Sequence, residues 1–232
     1  MKFKKYLSIG ALISSSSLLF GCSYNEINHN AEEITKDYTS YTTKQNKVSV
    51  SAVGDVMIHK TQLNAQRQPN GAYNFENNFR LIKQYIEKSD LSIANLETTI
   101  NRTKSVSAYP SFNSPSEILD TLKNTGFDVI STINNHSLDT GQSGVSNTIN
   151  ELKDRGLDYV GSQLSEDEKN YIVKDVNNIK FGISSFSYAE ETNTNSFLNG
   201  IPSGKSKNLL NTIDSRNVEK AFNTIKNEID LM

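Results

Sequence analysis

Three apolar runs, each ending abruptly in polar side chains, set the strongest limit on what this chain folds into. The first, Val48-Ser49-Val50-Ser51-Ala52-Val53, alternates and then reaches Gly54-Asp55-Val56-Met57-Ile58-His59. The second runs from Leu91 to Leu96 and meets Glu97-Thr98-Thr99. The third runs from Phe127 to Ile133 and meets Asn134-Asn135-His136-Ser137-Leu138-Asp139-Thr140-Gly141. Short apolar runs bounded by turn signals read as buried strands. In an open α/β sheet, ligands bind in the loops just beyond the carboxyl ends of the strands. Asp, Glu, Asn and His at three strand ends therefore form a candidate site for a divalent cation and phosphate chemistry.

The segments between these runs supply helices. Asn74 is placed to cap a helix reaching about Lys88, with Phe75, Phe79, Ile82 and Ile86 at helical spacing. Residues 60–73, with Pro69, Asn70 and Gly71, read as a surface loop. Ser114-Pro115 reads as an N-cap and first helical position, Ile118, Leu119 and Leu122 as the apolar face, and Gly126 as the stop. A further helix begins at Gly141 or Ser143, turns Val145, Ile149 and Leu152 to one side and ends at Gly156, before a short strand from Leu157 to Gly161. Tyr171–Val176 and Ile179–Ser185 form a hairpin about Asn177-Asn178. Residues 98–113 read as irregular, and 187–211, polar with Pro202 and Gly204, are assigned no element. A last helix spans about Ser215 to Glu228, and Ile229-Asp230-Leu231-Met232 reads as the start of another strand. The alternation predicts an α/β fold with an antiparallel addition after residue 170.

The first residues bear on location. Lys2, Lys4 and Lys5 precede an apolar, serine-rich stretch from Tyr6 to Phe20, closing on Leu19-Phe20-Gly21-Cys22. That is the layout of an export signal over residues 1–21, with Cys22 as the lipidated residue of a bacterial lipoprotein. Cys22 is the only cysteine, so no disulfide forms within the chain. Two or more acyl chains, at roughly 0.8 kcal/mol per buried methylene, hold such a protein on the extracytoplasmic face of the cell membrane. Residues 22–46 read as a polar tether with a span on the order of 25–30 Å, leaving residues 47–232 as one domain. Residues 1–21 carry three lysines and no acid, so the formal charge of −2 becomes −5 without them. An acidic exported domain lacks the basic face that nucleic acid requires.

Each polar tip has an ordinary reading beside the chemical one. Asp55 caps a turn or ligates a metal, Glu97 is solvated or joins the same site, and His59 is a loop histidine or faces the site. Asn134-Asn135-His136 carries the sharper signal, because Asn-Asn-His directly after a β-branched strand is a poor choice for stability alone. An asparagine carbonyl is an oxygen ligand, and a histidine can donate a proton to a leaving oxygen once its ring is oriented. Asp139, three residues on, is placed to accept from that ring or to cap the next helix.

Gly54-Asp55-Val56-Met57, Asn95-Leu96-Glu97-Thr98 and Asn134-Asn135-His136-Ser137-Leu138-Asp139-Thr140-Gly141 together resemble the CapA family of poly-γ-glutamate capsule biosynthesis proteins. Ser114-Pro115, Gly126-Phe127-Asp128 and Val160-Gly161 fit its spacing, so the resemblance covers about residues 47–232. That family is similar to calcineurin-like metallophosphoesterases, which implies a two-sheet sandwich flanked by helices, incomplete here at its C-terminal end. The resemblance implies Asp55, Glu97 and Asn135 as metal ligands and His136 as the group that protonates the leaving oxygen. It leaves the cation open among Mn, Zn, Fe, Mg and Ca. Met57 stands where phosphoesterases carry the histidine of Asp-x-His, and Glu97 stands where they more usually carry aspartate. The His-Trp-Gly and Gly-His-x-Pro-His motifs are absent: there is no tryptophan and no histidine beyond His136. The expectation is a first portion of a longer protein, with little or no catalytic activity alone.

The resemblance implies a surface lipoprotein that works with capsule-synthesis membrane proteins on a polyanionic polymer or a phosphoester. A non-catalytic scaffold of such a complex is the rival reading. A solute-binding lipoprotein is disfavoured, since it gives no reason for Asn-Asn-His at a strand end.

Overall fold

The structure, a computed structural model, describes residues 46–192, 195–213 and 215–231. The predicted signal segment, Cys22 and all of the predicted tether except Asn46 lie outside the described residues. Four parallel strands in sequential order form the main sheet: β1 (Val50–Val56), β2 (Leu91–Leu96), β3 (Val129–Ser131) and β4 (Asp158–Val160). Between β1 and β2 lie three short helices, α1 (Lys60–Gln66), α2 (Glu76–Phe79) and α3 (Lys83–Ile86). The longer α4 (Glu117–Thr125) and α5 (Gln142–Asp154) link β2 to β3 and β3 to β4. The chain is thus a mixed α/β fold, as its alternating pattern predicts.

Strand parity divides the sheet. Ala94, Leu96 and Ile130 face one way and join Phe75, Phe79, Ile118, Leu119 and Leu122 in the largest core cluster. Leu91, Ile93 and Val129 face the other way, against Ile172, Val176, Phe181 and Ile183. Those residues come from the antiparallel hairpin β5 (Tyr171–Val176) and β6 (Ile179–Ser184). Its turn matches the expectation: Asn177 and Asn178 take φ of 53° and 63°, the backbone a two-residue hairpin turn demands. Helix α6 (Ser215–Leu231) then packs on the hairpin at Gly182, where any Cβ would collide with Ile225.

Several boundaries differ from the sequence reading. Residues 60–66 are helical, not loop, with the His59 backbone N–H donating to Gln62 Oε1 at 2.9 Å. The expected helix over 74–88 is two pieces, with Leu81 exposed between them. Ser114 does not cap α4. Its N–H donates to the Thr99 carbonyl and its hydroxyl lies 3.0 Å from that of Thr98, so the helix starts at Glu117. Gly126 closes α4 at φ 99°, as expected. Within the unassigned stretch, β7 (Glu190–Glu191), β8 (Ser196–Leu198) and β9 (Ile201–Pro202) make a small antiparallel sheet. Finally, Ile229, Asp230 and Leu231 do not begin a strand, because α6 runs through them. Among the described residues no helix is long and apolar enough to cross a membrane.

Candidate functional site at the carboxyl edge of the parallel sheet

A bulge places the first carboxylate. Val53 pairs with Ala94 and packs into the main core, so simple alternation would send Asp55 to that same face. The extra residue, Gly54, shifts the register so that Asp55 pairs with Asn95 instead. The strand does not turn at Gly54, as expected from sequence, but continues to Val56. Asn95 lies on the face of Leu91 and Ile93, and Ser131 pairs with it from β3. Asp55, Asn95 and Ser131 thus form one row across three strands, and Glu97, two residues beyond Asn95, follows the same parity.

Amides bind this row to the loop after β3. Asn95 Nδ2 donates to Asp55 Oδ1 at 2.7 Å, and Asn134 Nδ2 donates to the Leu96 carbonyl at 2.9 Å and to Asn95 Oδ1 at 3.2 Å. Asn134 Oδ1 accepts the His136 backbone N–H at 2.9 Å, while the Asn134 N–H donates to Ser137 Oγ at 2.8 Å. Asn134 is therefore buried and fully engaged, a brace that leaves no oxygen free. Asn135 is the exposed member of the pair, and its one hydrogen bond is a long 3.4 Å donation to Asn199 Oδ1.

His136 and Asp139 come together as the spacing suggests. Nδ1 of the ring lies 2.7 Å from Asp139 Oδ2, which also accepts the Phe112 N–H at 2.5 Å. Phe112 packs edge-on against the imidazole, with centroids 4.8 Å apart. This arrangement fixes the ring's orientation and leaves Nε2 directed elsewhere, 3.8 Å from Glu97 Oε1. Asp139 does not cap α5. Burial pushes its carboxyl above the usual range, partly offset by the Phe112 N–H and by His136. Asn199 Nδ2 sits 3.3 and 3.5 Å from the two ring nitrogens and cannot align with both.

Glu97 is the strained member. Burial, then the nearby Asp55 carboxylate, raise its pKa to about 7, with His136 opposing the shift. Among the described residues, no hydrogen-bond donor reaches the buried Glu97 Oε2 or Asp139 Oδ1. A buried carboxylate oxygen left alone is costly, and a cation is one way to satisfy it. Asp55, Glu97 and Asn135 all line one cleft of about 320 Å³. Its donors are oxygens on two carboxylates and an amide, which suits a hard or borderline divalent cation. Among the described residues no three of His, Cys, Asp and Glu converge tightly enough to hold a metal by themselves, so amide oxygens would complete the set. His136 and Asp139 line a second cleft of about 550 Å³, and Asn135 is shared by both.

His59 lines neither cleft. It precedes α1, and its ring packs 5.1 Å from that of Phe112, one ring removed from His136. The sequence reading assigned no role to Asn95, Asn134 or Asn199. Asn199-Gly200 was nevertheless a readable signal: an Asn-Gly pair between Phe197-Leu198 and Ile201 marks a hairpin turn, and the φ values of 47° and 73° agree.

A family model described as bacterial capsule synthesis protein PGA_cap matches residues 49–232. The chain belongs to that family. Curated relatives of this PGA_cap chain include the capsule biosynthesis protein CapA of Bacillus anthracis, 26% identical over 149 residues, 62% of this chain and 35% of that protein. The PGA biosynthesis protein CapA of Bacillus subtilis strain 168 is 26% identical over 150 residues, 62% of this chain and 38% of its own length. An uncharacterized protein of Sinorhizobium fredii is 29% identical over 150 residues, 60% of this chain and 31% of that protein. The chain spans about a third of the length of the curated relatives it matches. The CapA resemblance read from the three motifs is thereby shown.

Proposed function

We propose that this PGA_cap domain serves assembly of a capsule polymer at the cell surface, lipid-anchored through Cys22, by metal-dependent hydrolysis of a phosphoester. The reading extends to a metallophosphoesterase-type domain whose site lies at the carboxyl edge of its parallel sheet. The observation that carries it is the His136–Asp139 pair set across from Glu97, whose buried Oε2 meets no hydrogen-bond donor among the described residues. Asp55, Glu97 and Asn135 would hold the divalent cation, which when bound polarises a phosphoryl oxygen and lowers the pKa of a bound water. The protein's own part is orientation and proton transfer. Asp139 accepts from Nδ1 of His136 and stabilises the imidazolium. Nε2–H of that imidazolium donates to the ester oxygen as the P–O bond breaks, leaving neutral imidazole. Asn134 holds the His136 backbone N–H and Phe112 packs against the ring during this step.

A second reading, a non-catalytic scaffold for capsule-synthesis membrane proteins, is favoured by the lack of any tight three-residue His, Cys, Asp and Glu cluster among the described residues. Hydrolysis of bis(p-nitrophenyl) phosphate by the full-length protein separates the two. The hydrolytic reading expects activity that requires added Mn²⁺ and falls by about 10²-fold or more in His136→Ala. Activity no greater than that of free Mn²⁺, or undiminished in His136→Ala, would leave the scaffold.

A further inference from the structure

The two clefts flanking Asn135 share a property that phosphoester chemistry alone does not demand. Their lining holds the carboxyl groups of Asp55, Glu97 and Asp139 and, among the described residues, contains neither lysine nor arginine. A divalent cation on the carboxylates would bring this surface toward neutrality without making it a positive groove. A polyanion laid along it would meet like charge with no paired partner, an arrangement that repels.

Each cleft instead presents an aromatic ring. Tyr188 lines the first and is 73% exposed, while Tyr109 lines the second and is 72% exposed. Tyr109 is held on its inner side by His59, stacked at 6.5 Å and 23°, and by the edge of Phe112 at 6.5 Å. Most of that tyrosine nevertheless faces solvent, where an apolar ring gains nothing until a ligand covers it. Tyr188 belongs to a segment whose backbone is pinned beside it, with the Ser187 N–H donating to the Asn211 carbonyl at 2.9 Å. Alongside the two tyrosines the clefts are lined by neutral hydrogen-bonding groups on Asn135, Asn199, Ser111 and Ser187. Flat aromatic faces combined with amide, hydroxyl and carboxylate groups match a sugar ring, which carries C–H bonds on its faces and hydroxyls around its edge.

We propose that this site binds a neutral glycan portion of its ligand, with sugar rings seated on Tyr109 and Tyr188 on either side of Asn135. The proposal rests on the hydrolytic reading only in naming what flanks the phosphoester, and glycan binding itself needs no hydrolysis. His59 then acts as a positioning residue for the Tyr109 platform.

The test is titration of the full-length protein, without added metal, with neutral hexasaccharides of glucose and of N-acetylglucosamine. Hexa-γ-glutamate serves as the polyanion. The readout is calorimetry. Saturable binding of one neutral hexasaccharide, about tenfold or more tighter than hexa-γ-glutamate, is expected. Tyr109→Ala and Tyr188→Ala should each weaken it by about tenfold, in line with the loss of one aromatic contact. Tyr85→Ala, removing a ring 64% exposed and outside both clefts, should leave it unchanged. Circular dichroism checks that the variants fold. Failure of both hexasaccharides to bind, tighter binding of hexa-γ-glutamate, or wild-type affinity in both cleft variants would overturn the proposal. Glycan binding without hydrolysis of the phosphodiester would uphold it and remove the hydrolytic reading. Hydrolysis without glycan binding would do the reverse.

Discussion

The parallel sheet and the chain that follows it carry the candidate site in different ways. In the sheet, Leu91, Ala94, Val129 and Ile130 are at most 1% exposed, and Asp55, Glu97 and the Asn134–Asp139 loop hang from its carboxyl edge. After Val160 the packing is uneven: the β5–β6 hairpin is only partly buried along its length and Phe222 on α6 is 66% exposed, whereas Ala189 and Leu198, beside Tyr188 and Asn199, are buried. Tyr188 and Asn199 come from this second region. The difference separates two jobs. The candidate site's side chains are tied to well-packed segments, whereas the hairpin and α6 form a lightly buried frame that substitutions disturb little.

The sharpest way to break this contrast is to cut into both regions alike. Ile130→Ala should cost about 2–5 kcal/mol in urea unfolding, from lost burial and the cavity left behind. Phe222→Ser should change stability by no more than about 0.5 kcal/mol, as for an ordinary surface position. Equal losses would mean that the second region is packed as tightly as the first.

A smaller effect is expected at the brace between sheet and loop. Asn134→Ala takes a partner from the Leu96 carbonyl, Asn95 Oδ1 and the His136 N–H together. A loss of about 1–3 kcal/mol follows for buried groups left unsatisfied. Thermal unfolding measures it, and a silent substitution would show that the loop holds His136 without the brace.

The brace also shows what could be read in advance. The polar tips at three strand ends were visible because a buried parallel strand leaves a nearly continuous apolar run and the chemistry starts where that run stops. Asn177-Asn178 and Gly126 were visible because positive φ selects those residues locally. Residues 60–66 were missed as a helix because only Leu63 is buried there, so no apolar stripe marks it. The role of Asp55 was half legible: its position was clear, but its face depends on a register shift opposite Asn95, 40 residues away. Asn199 is 63 residues from His136, and only the packing of the small sheet brings the two together. The continuation of α6 through Leu231 was obscured because Ile229 fits a helix face and a strand start equally well.

A finer contrast lies in pH. Burial and Asp55 hold Glu97 at about 7, above the ordinary 4.5. A carboxyl whose folded pKa is raised favours the folded state while protonated. That contribution is complete below about 4.5 and is lost as pH rises through about 7. Asp139, also raised by burial, acts in the same direction. Glu97→Gln should therefore flatten the fall in urea midpoint across this interval in metal-free buffer. Parallel profiles for the two proteins would show that the carboxyl is not held up.

The central claim is that Asp55, Glu97 and Asn135 act as one cation site fixed to the sheet edge. Calorimetric titration of the protein with Mn²⁺ tests it most directly, comparing the wild type with Asp55→Ala, Glu97→Ala and Asn135→Ala. The account predicts saturable binding by the wild type and comparable weakening, about tenfold or more, in each variant. No saturable binding by the wild type, or wild-type affinity in all three variants, would contradict it.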